Sequence, residues 1–343
     1  MLETDALMVT ELRESPVVVS RQSQLLRVPL QELSTILTAK PPQVVVTCAR
    51  GSSAHAATFG KHLIERYLGI PVSAAAPSIA TVYRRRLKLE GQLFLAISQS
   101  GRSDDLVEAA LSAREAGART AAIVNDTLSP LASACDVILP MGAGEELSVA
   151  ATKTFIASLS ALLNLIAEWT GERALLDAMG RLPGRLHEAL HLDWAPAIAA
   201  LSHASSAATI GRGPTLAIAQ EASLKLKEIC NIHAEAFSGA EFQHGPVALV
   251  AKDFPVLIFL PSDAGATPLE RLATDLWQKR AAVCRTSNEQ GEGISLPVLS
   301  PDCSESDAIC LIQTFYGLVA HLAAQRGIDV DRPRHLQKVT RTR

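Results

Sequence analysis

The chain has 343 residues, 48% of them hydrophobic and 20% charged, with a formal net charge of −3. This composition excludes a disordered chain, and the absence of a basic excess argues against a nucleic-acid-binding protein. Aromatic residues make up only 4%, so the core must be aliphatic, which suits helices packed on a parallel sheet. At about 150 residues per domain the length fits two domains, and it buries a core without metal or disulfide staples.

In chain order, residues 1–40 read mainly as helix, interrupted at Pro16 and Pro29. The first fifteen residues lack the apolar stretch of a signal peptide. No apolar run approaches the ~20 residues needed to cross a bilayer, so no membrane partner and a cytoplasmic location are expected. Strand and helix patterns then alternate. Residues 44–48, 93–97, 120–124 and 137–139 read as strands, and 54–68, 104–116 and 152–169 as helices. Residues 182–193, with Pro183 and Gly184, read as an interdomain connection. The pattern restarts with strands at 207–210 and 256–260 and helices at 216–229, 270–278 and 308–326. Such alternation predicts an α/β chain of doubly wound, mostly parallel sheets flanked by helices.

The restart is a repeat. A shift of 162 places TCARG at 47–51 over TIGRG at 209–213, with three of five residues identical. The strand at 93–98 falls on 256–261 at a shift of 163. The expected division is a helical segment at 1–40, a first domain at 41–185, a second at 195–330 and a tail at 331–343 closing the active site. Cys48, Cys135, Cys230, Cys284, Cys303 and Cys310 form no CxxC pair. They read as free buried thiols of a reducing compartment.

Five segments could carry chemistry. Ser98, Gln99, Ser100, Gly101, Arg102 and Ser103 follow a strand and open a helix, where amides and hydroxyls suit a phosphate. The alternative is a serine-rich turn that only caps the helix. The second copy has PSDAGA in this place, so one such site per chain is expected. Gly51, Ser52 and Ser53 end the first strand, on the rim where doubly wound sheets collect ligands; alone they could be a plain connection. Glu221, Lys225 and Glu228 share a helix face, either a solvated ion-pair stripe or the wall of a cleft. His233, Glu235, Glu241 and His244 match no zinc spacing, so no metal is expected. His244, before Gly-Pro, could be a general acid or base or a structural histidine. Lys338 lies in a charged tail, and nothing local marks it as catalytic.

Taken together, ARGSS at 49–53, ISQSGRSDD at 97–105, EELSVAATKTF at 145–155, EASLKLKEICNIHAEAFSGAEFQHGP at 221–246 and DVDRPRHLQKVT at 329–340 resemble the sugar isomerase (SIS) family. Within it they resemble the two-domain isomerase half of the glucosamine-6-phosphate synthases, as does MVTELRESP at 8–16. The resemblance implies two tandem SIS domains. It implies that Ser98, Gln99, Ser100 and Ser103 hold a sugar 6-phosphate. Ser52, Ser53 and the backbone of Val149 and Ala150 would line the site. Glu228 would move a proton between C1 and C2 with help from Lys225. Lys338 would form a Schiff base with the ketose. His244 would open the sugar ring in the site of a neighbouring subunit, which implies a homodimer. Ala151 departs from the family's serine and loosens one substrate contact.

The family's synthases begin with a glutaminase domain, whereas about 40 residues precede the first strand here. The resemblance therefore implies the reverse reaction, that of the type II glucosamine-6-phosphate deaminases, with neither metal nor cofactor. A deglycase acting on fructosamine or fructosyl-amino-acid 6-phosphates is an alternative. A plain phosphosugar isomerase is another, although it would not need Lys338. A sugar-phosphate sensor is the non-enzyme alternative.

Overall fold

The computed structural model describes residues 6–338. The chain divides into two compact units, each drawn from several stretches. One comprises residues 17–146, 153–180 and 337–338; the other comprises 6–16, 147–152 and 181–336.

The first helix, α1 (Leu7–Ala39), runs unbroken for 33 residues through both prolines. The expected interruptions are absent for a separate reason at each proline. Pro16 has no N–H for the Leu12 carbonyl, and the Gln313 side-chain amide donates to that carbonyl instead, at 3.2 Å. Pro29 frees the carbonyl of Leu25, a residue 44% exposed, where water can serve.

The 17–146 unit carries β1 (Val45–Cys48), α2 (Gly51–Leu68), β2 (Val72–Ala74), α3 (Ser78–Thr81), β3 (Leu93–Ser98), α4 (Asp104–Glu115), β4 (Arg119–Val124), α5 (Pro130–Ala134), β5 (Val137–Pro140) and α6 (Lys153–Thr170). Its sheet has the order β2-β1-β3-β4-β5 with every pairing parallel. All residues of β1 and β3 are buried, as a strand covered on both faces requires. That two-sided burial explains their unbroken apolar runs.

Helix α7 (Arg173–Ala189) occupies part of the expected interdomain connection and carries Pro183 within it. Leu175, Ala178, Leu182, Leu186 and Ala189 are all buried at helical spacing. Burying that stripe offsets the cost of an interior proline, about 3 kcal/mol.

There follow α8 (Ile198–Leu201), β6 (Ser206–Gly211), α9 (Thr215–Cys230), β7 (His233–Ser238), α10 (Gly239–Gln243), β8 (Pro255–Ile258), α11 (Ala266–Gln278), β9 (Ala282–Thr286), β10 (Ile294–Leu296) and α12 (Ser304–Gln325). The second sheet has the order β10-β9-β8-β6-β7, again all parallel. Replacing β1 to β5 by β6, β7, β8, β9 and β10 converts the first order into the second, so the repeat read from TCARG and TIGRG is a repeat of topology.

Helix α12 corrects another expectation, because it is long and apolar enough to cross a membrane by length and composition. The chain uses it as a core helix, with 78% of its most apolar window buried. Five cysteines are buried, and burial pushes the Cys48, Cys135, Cys230, Cys284 and Cys310 thiols up to about 12. Cys303 is half-buried, its thiol raised to about 11, first by burial.

Gln313→Met should cost about 1–3 kcal/mol in urea unfolding, the penalty of an orphaned buried carbonyl. Adding Pro16→Ala supplies the missing N–H and should recover most of that loss.

Candidate functional site

In the first sheet the chain winds one way from β1 to β2 and the other way from β3 to β5. The switch point therefore lies between β1 and β3, paired from Val45↔Leu93 to Cys48↔Ala96. Ligands of doubly wound sheets bind beyond the carboxyl ends of the strands at such a point. Residues 50–53 and 98–103 both leave from those ends, each leading into a helix N-terminus. The sequence candidates Gly51, Ser52, Ser53, Ser98, Gln99, Ser100 and Ser103 are thus brought to one crevice.

The loop after β3 is wound tightly. Buried Ser98 accepts the Gly101 amide through Oγ at 3.1 Å, and Ser100 Oγ accepts the Arg102 amide at 3.3 Å. Gly101 has φ +62°, and a Cβ there would lie 2.1 Å from Ser129 Oγ. Only glycine fits, because Ser129 is itself fixed as the cap of α5. Ser103 is the N-cap residue of α4, yet its side chain makes no capping bond. The reading of these serines as mere helix caps therefore fails for Ser103. Arg50 reaches the buried Asp105 carboxylate at 2.9 Å and ties the two loops together.

The equivalent crevice of the second sheet is filled. Thr215, at the position of Ser53 in the repeat, is fully buried. Its hydroxyl accepts the Arg212 amide at 3.0 Å and donates to the Phe259 carbonyl at 2.6 Å. Thr286 Oγ1 accepts the Leu260 amide. A Cβ on Gly211 would lie 2.2 Å from the Thr215 carbonyl oxygen, so α9 starts hard against β6. Own hydroxyls occupy the place where a ligand would sit.

Helix α9 presents the charged cluster. Lys225 Nζ lies 2.7 Å from Glu228 and 3.1 Å from Glu221. Tyr316 donates its hydroxyl to Glu221 at 3.1 Å. Lys225 and Glu221 are fully buried, whereas Glu228 keeps 21% of its side chain exposed. The face is neither a solvated stripe nor wholly a cleft wall: two of its charges are core and one opens outward. Burial pulls the Lys225 ammonium down, but Glu221 and Glu228 outweigh it and hold its pKa above the usual lysine value. The cation therefore persists at neutral pH and fixes Glu228 in place.

Glu146 was not singled out by sequence, although it lies in the 145–155 motif. It is buried, and it accepts the Thr154 amide at 3.1 Å and the Thr154 hydroxyl at 2.7 Å. Lys338 Nζ lies 2.7 Å from it. The pair turns an unremarkable tail lysine into a docked amine. Tyr316 was likewise missed, since nothing local marks an aromatic on an apolar helix. The Val149 amide donates to the Asp331 carbonyl at 3.3 Å, so a ligand there would meet carbonyls rather than that N–H. His244 is exposed at the end of α10. The structure does not group it with Glu221, Lys225 and Glu228. Among the described residues no cluster of His, Cys, Asp and Glu suits a metal.

The family model of the SIS domain matches residues 40–167 and 200–284. The chain belongs to the SIS-domain family. It also resembles the isomerase domain of glutamine–fructose-6-phosphate aminotransferase. The Zymomonas mobilis enzyme of that name is 33% identical over 96% of this chain and 58% of its own length. The chain spans only about half to three-fifths of such curated relatives. A Silicibacter pomeroyi DSS-3 protein, provisionally assigned as a phosphosugar isomerase, is 40% identical. It aligns with a TM-score of 0.91 over 95% of this chain and 100% of that one. The C-terminal domain of the Francisella tularensis glucosamine-fructose-6-phosphate aminotransferase aligns at 0.84 with 26% identity, over 96% and 99% of the two chains.

Two outcomes follow from this geometry. Gly101→Ala should cost about 1–3 kcal/mol in denaturant unfolding, through left-handed strain and the Ser129 clash. Lys225→Met should cost about 3–5 kcal/mol, because it strands a buried carboxylate. Since the Lys225 pKa is raised on folding, its charge stabilises fully below the unfolded value of about 10.5 and is lost only as pH climbs through the higher folded value. Urea unfolding of the wild type should therefore show no loss from Lys225 between pH 7 and pH 9.

Proposed function

We propose that the chain is an enzyme acting on a phosphorylated sugar, and specifically a glucosamine-6-phosphate deaminase. It would convert glucosamine 6-phosphate and water to fructose 6-phosphate and ammonia. The observation that carries the reading is the clamp on α9: a buried ammonium holds one partly open carboxylate, Glu228, in a fixed orientation. Moving a proton between adjacent carbons needs such a group. The relatives' names, phosphosugar isomerase and isomerizing aminotransferase, describe chemistry of this kind.

In this reading Ser98, Gln99, Ser100, Ser103, Ser52 and Ser53 bind the 6-phosphate. Anchoring the substrate far from the reacting carbons turns remote binding into orientation. His244, donated by a neighbouring copy in a homodimer, transfers the proton that opens the ring. Glu228 takes the C2 proton of the open aldehyde and returns it to C1, giving the ketose imine. Lys225, kept charged, holds the Glu228 carboxylate until it takes the proton and then steadies the negative charge that passes to the enol oxygen.

Lys338 favours an aminosugar over a plain isomerase. Its amine is docked on Glu146 at 2.7 Å, which can accept its proton. The freed amine attacks C2 of the imine and expels ammonia. Water then hydrolyses the lysine imine to fructose 6-phosphate and regenerates the amine. The same residues run the amination direction in reverse.

Purified protein should release ammonia from glucosamine 6-phosphate, and Glu228→Gln should lower kcat about 10²–10⁴-fold. Turnover of galactosamine 6-phosphate or a fructosamine 6-phosphate alone would move the assignment to an epimer-specific deaminase or a deglycase. Isomerisation without ammonia release would make it a plain isomerase. Tight binding with no turnover of any of them would make it a sensor.

A further inference from the structure

The geometry points to Glu11 as a positioning residue that holds the 147–150 turn in its ligand-binding shape, an inference that rests on the assignment of Val149 and Ala150 to the sugar site. Glu11 sits on α1 and is only 5% exposed. Its carboxylate accepts the backbone N–H groups of two successive residues, Leu147 and Ser148. Converging amides of this kind form an anion-binding nest, and here the anion is the chain's own. The next amide, Val149 N–H, donates to the Asp331 carbonyl.

Three successive amides, those of Leu147, Ser148 and Val149, are therefore consumed by the protein, and these residues are left with their carbonyl oxygens to offer. A sugar hydroxyl can donate as well as accept, so an acceptor-lined turn can bind it, whereas a phosphate anion, which mainly accepts, needs donors. The nest thus shapes the turn at 147–150 for sugar hydroxyls.

The residue that holds the turn is itself held. The Asp331 carboxylate accepts the Leu7 and Met8 amides at 2.8 and 2.9 Å. It supplies the negative charge that the first turn of α1 lacks. Met8 and Leu12, on either side of Glu11, are buried. The carboxylate has no freedom to follow a shifted turn, so the turn must conform to it.

The test measures Kd for inorganic phosphate and for fructose 6-phosphate, and KM and kcat for the phosphosugar, in wild type, Glu11→Gln and Gln313→Met. An amide can accept only through its oxygen and sets an NH2 against one backbone N–H. Glu11→Gln should leave phosphate affinity within twofold, weaken fructose 6-phosphate about tenfold and raise KM by a similar factor. The kcat should change less than threefold. Gln313→Met destabilises the same helix without touching the turn and should leave KM unchanged. If Glu11→Gln folds poorly, Glu11→Asp keeps the charge one methylene shorter and carries the same readout. Unchanged fructose 6-phosphate affinity in the variant, with normal wild-type binding, would overturn the role of Glu11 alone. An equal KM rise in Gln313→Met would reduce it to helix stability. A wild type that binds neither ligand would overturn the phosphosugar reading and this inference with it.

Discussion

Every strand of each sheet runs in the same direction, and this constraint governs where chemistry can occur. Parallel strands need crossovers, so each strand of a sheet hands its chain to a loop at the same rim. With the order β2-β1-β3-β4-β5, the winding reverses between β1 and β3. Two loops part there and leave a crevice that no crossover covers. The hydroxyl-rich segments at 50–53 and 98–103 are functional candidates because of that reversal. The same six residues after β4 or β5 would have no crevice to line.

Duplication of the fold creates a second reversal, between β6 and β8, and the two copies treat it oppositely. In one, Ser53 is half-buried and its neighbourhood is built of turns with left-handed glycines. In the other, the equivalent Thr215 is sunk between two loops and its hydroxyl is spent on them. One added methyl and a helix start drawn against the strand convert a receptor into a plug. The second copy instead devotes its α9 to charge, where Lys225 offsets the buried Glu221 and bridges it to the partly open Glu228.

What the amino-acid order revealed depended on how local its cause was. Strands β1 and β3 were legible because two-sided burial demands unbroken apolar runs. Strand β7 was not, since His233–Ser238 lies at a sheet edge, carries His233 and Glu235, and has only Ala234 fully buried. The prolines misled for the opposite reason. Pro16 breaks a helix only if nothing replaces its N–H, and the replacement comes from Gln313, far away in sequence. Pro183 interrupts no helix because the buried stripe on α7 outweighs it. At the site, the serines, Glu221, Lys225 and Glu228 announced themselves by spacing and motif. Glu146, Tyr316 and Glu11 did not. Each matters through residues more than 90 positions away, and periodicity carries no trace of such a pairing.

Helix α1 is completed by residues some 300 positions further along the chain. Asp331 caps its start, and Gln313 fills the gap left by Pro16. Each closes a loop of some 300 residues, a contact that comes late because the entropy of closure must be met before it contributes anything. A growing polypeptide leaving the ribosome could form the middle of α1 early, from local propensity. Its first two turns must wait with Leu12 unsatisfied until α12 has emerged. The segment that bears Glu11 is thus synthesised some 300 residues before its partners and is locked only after α12 and Asp331 have been made.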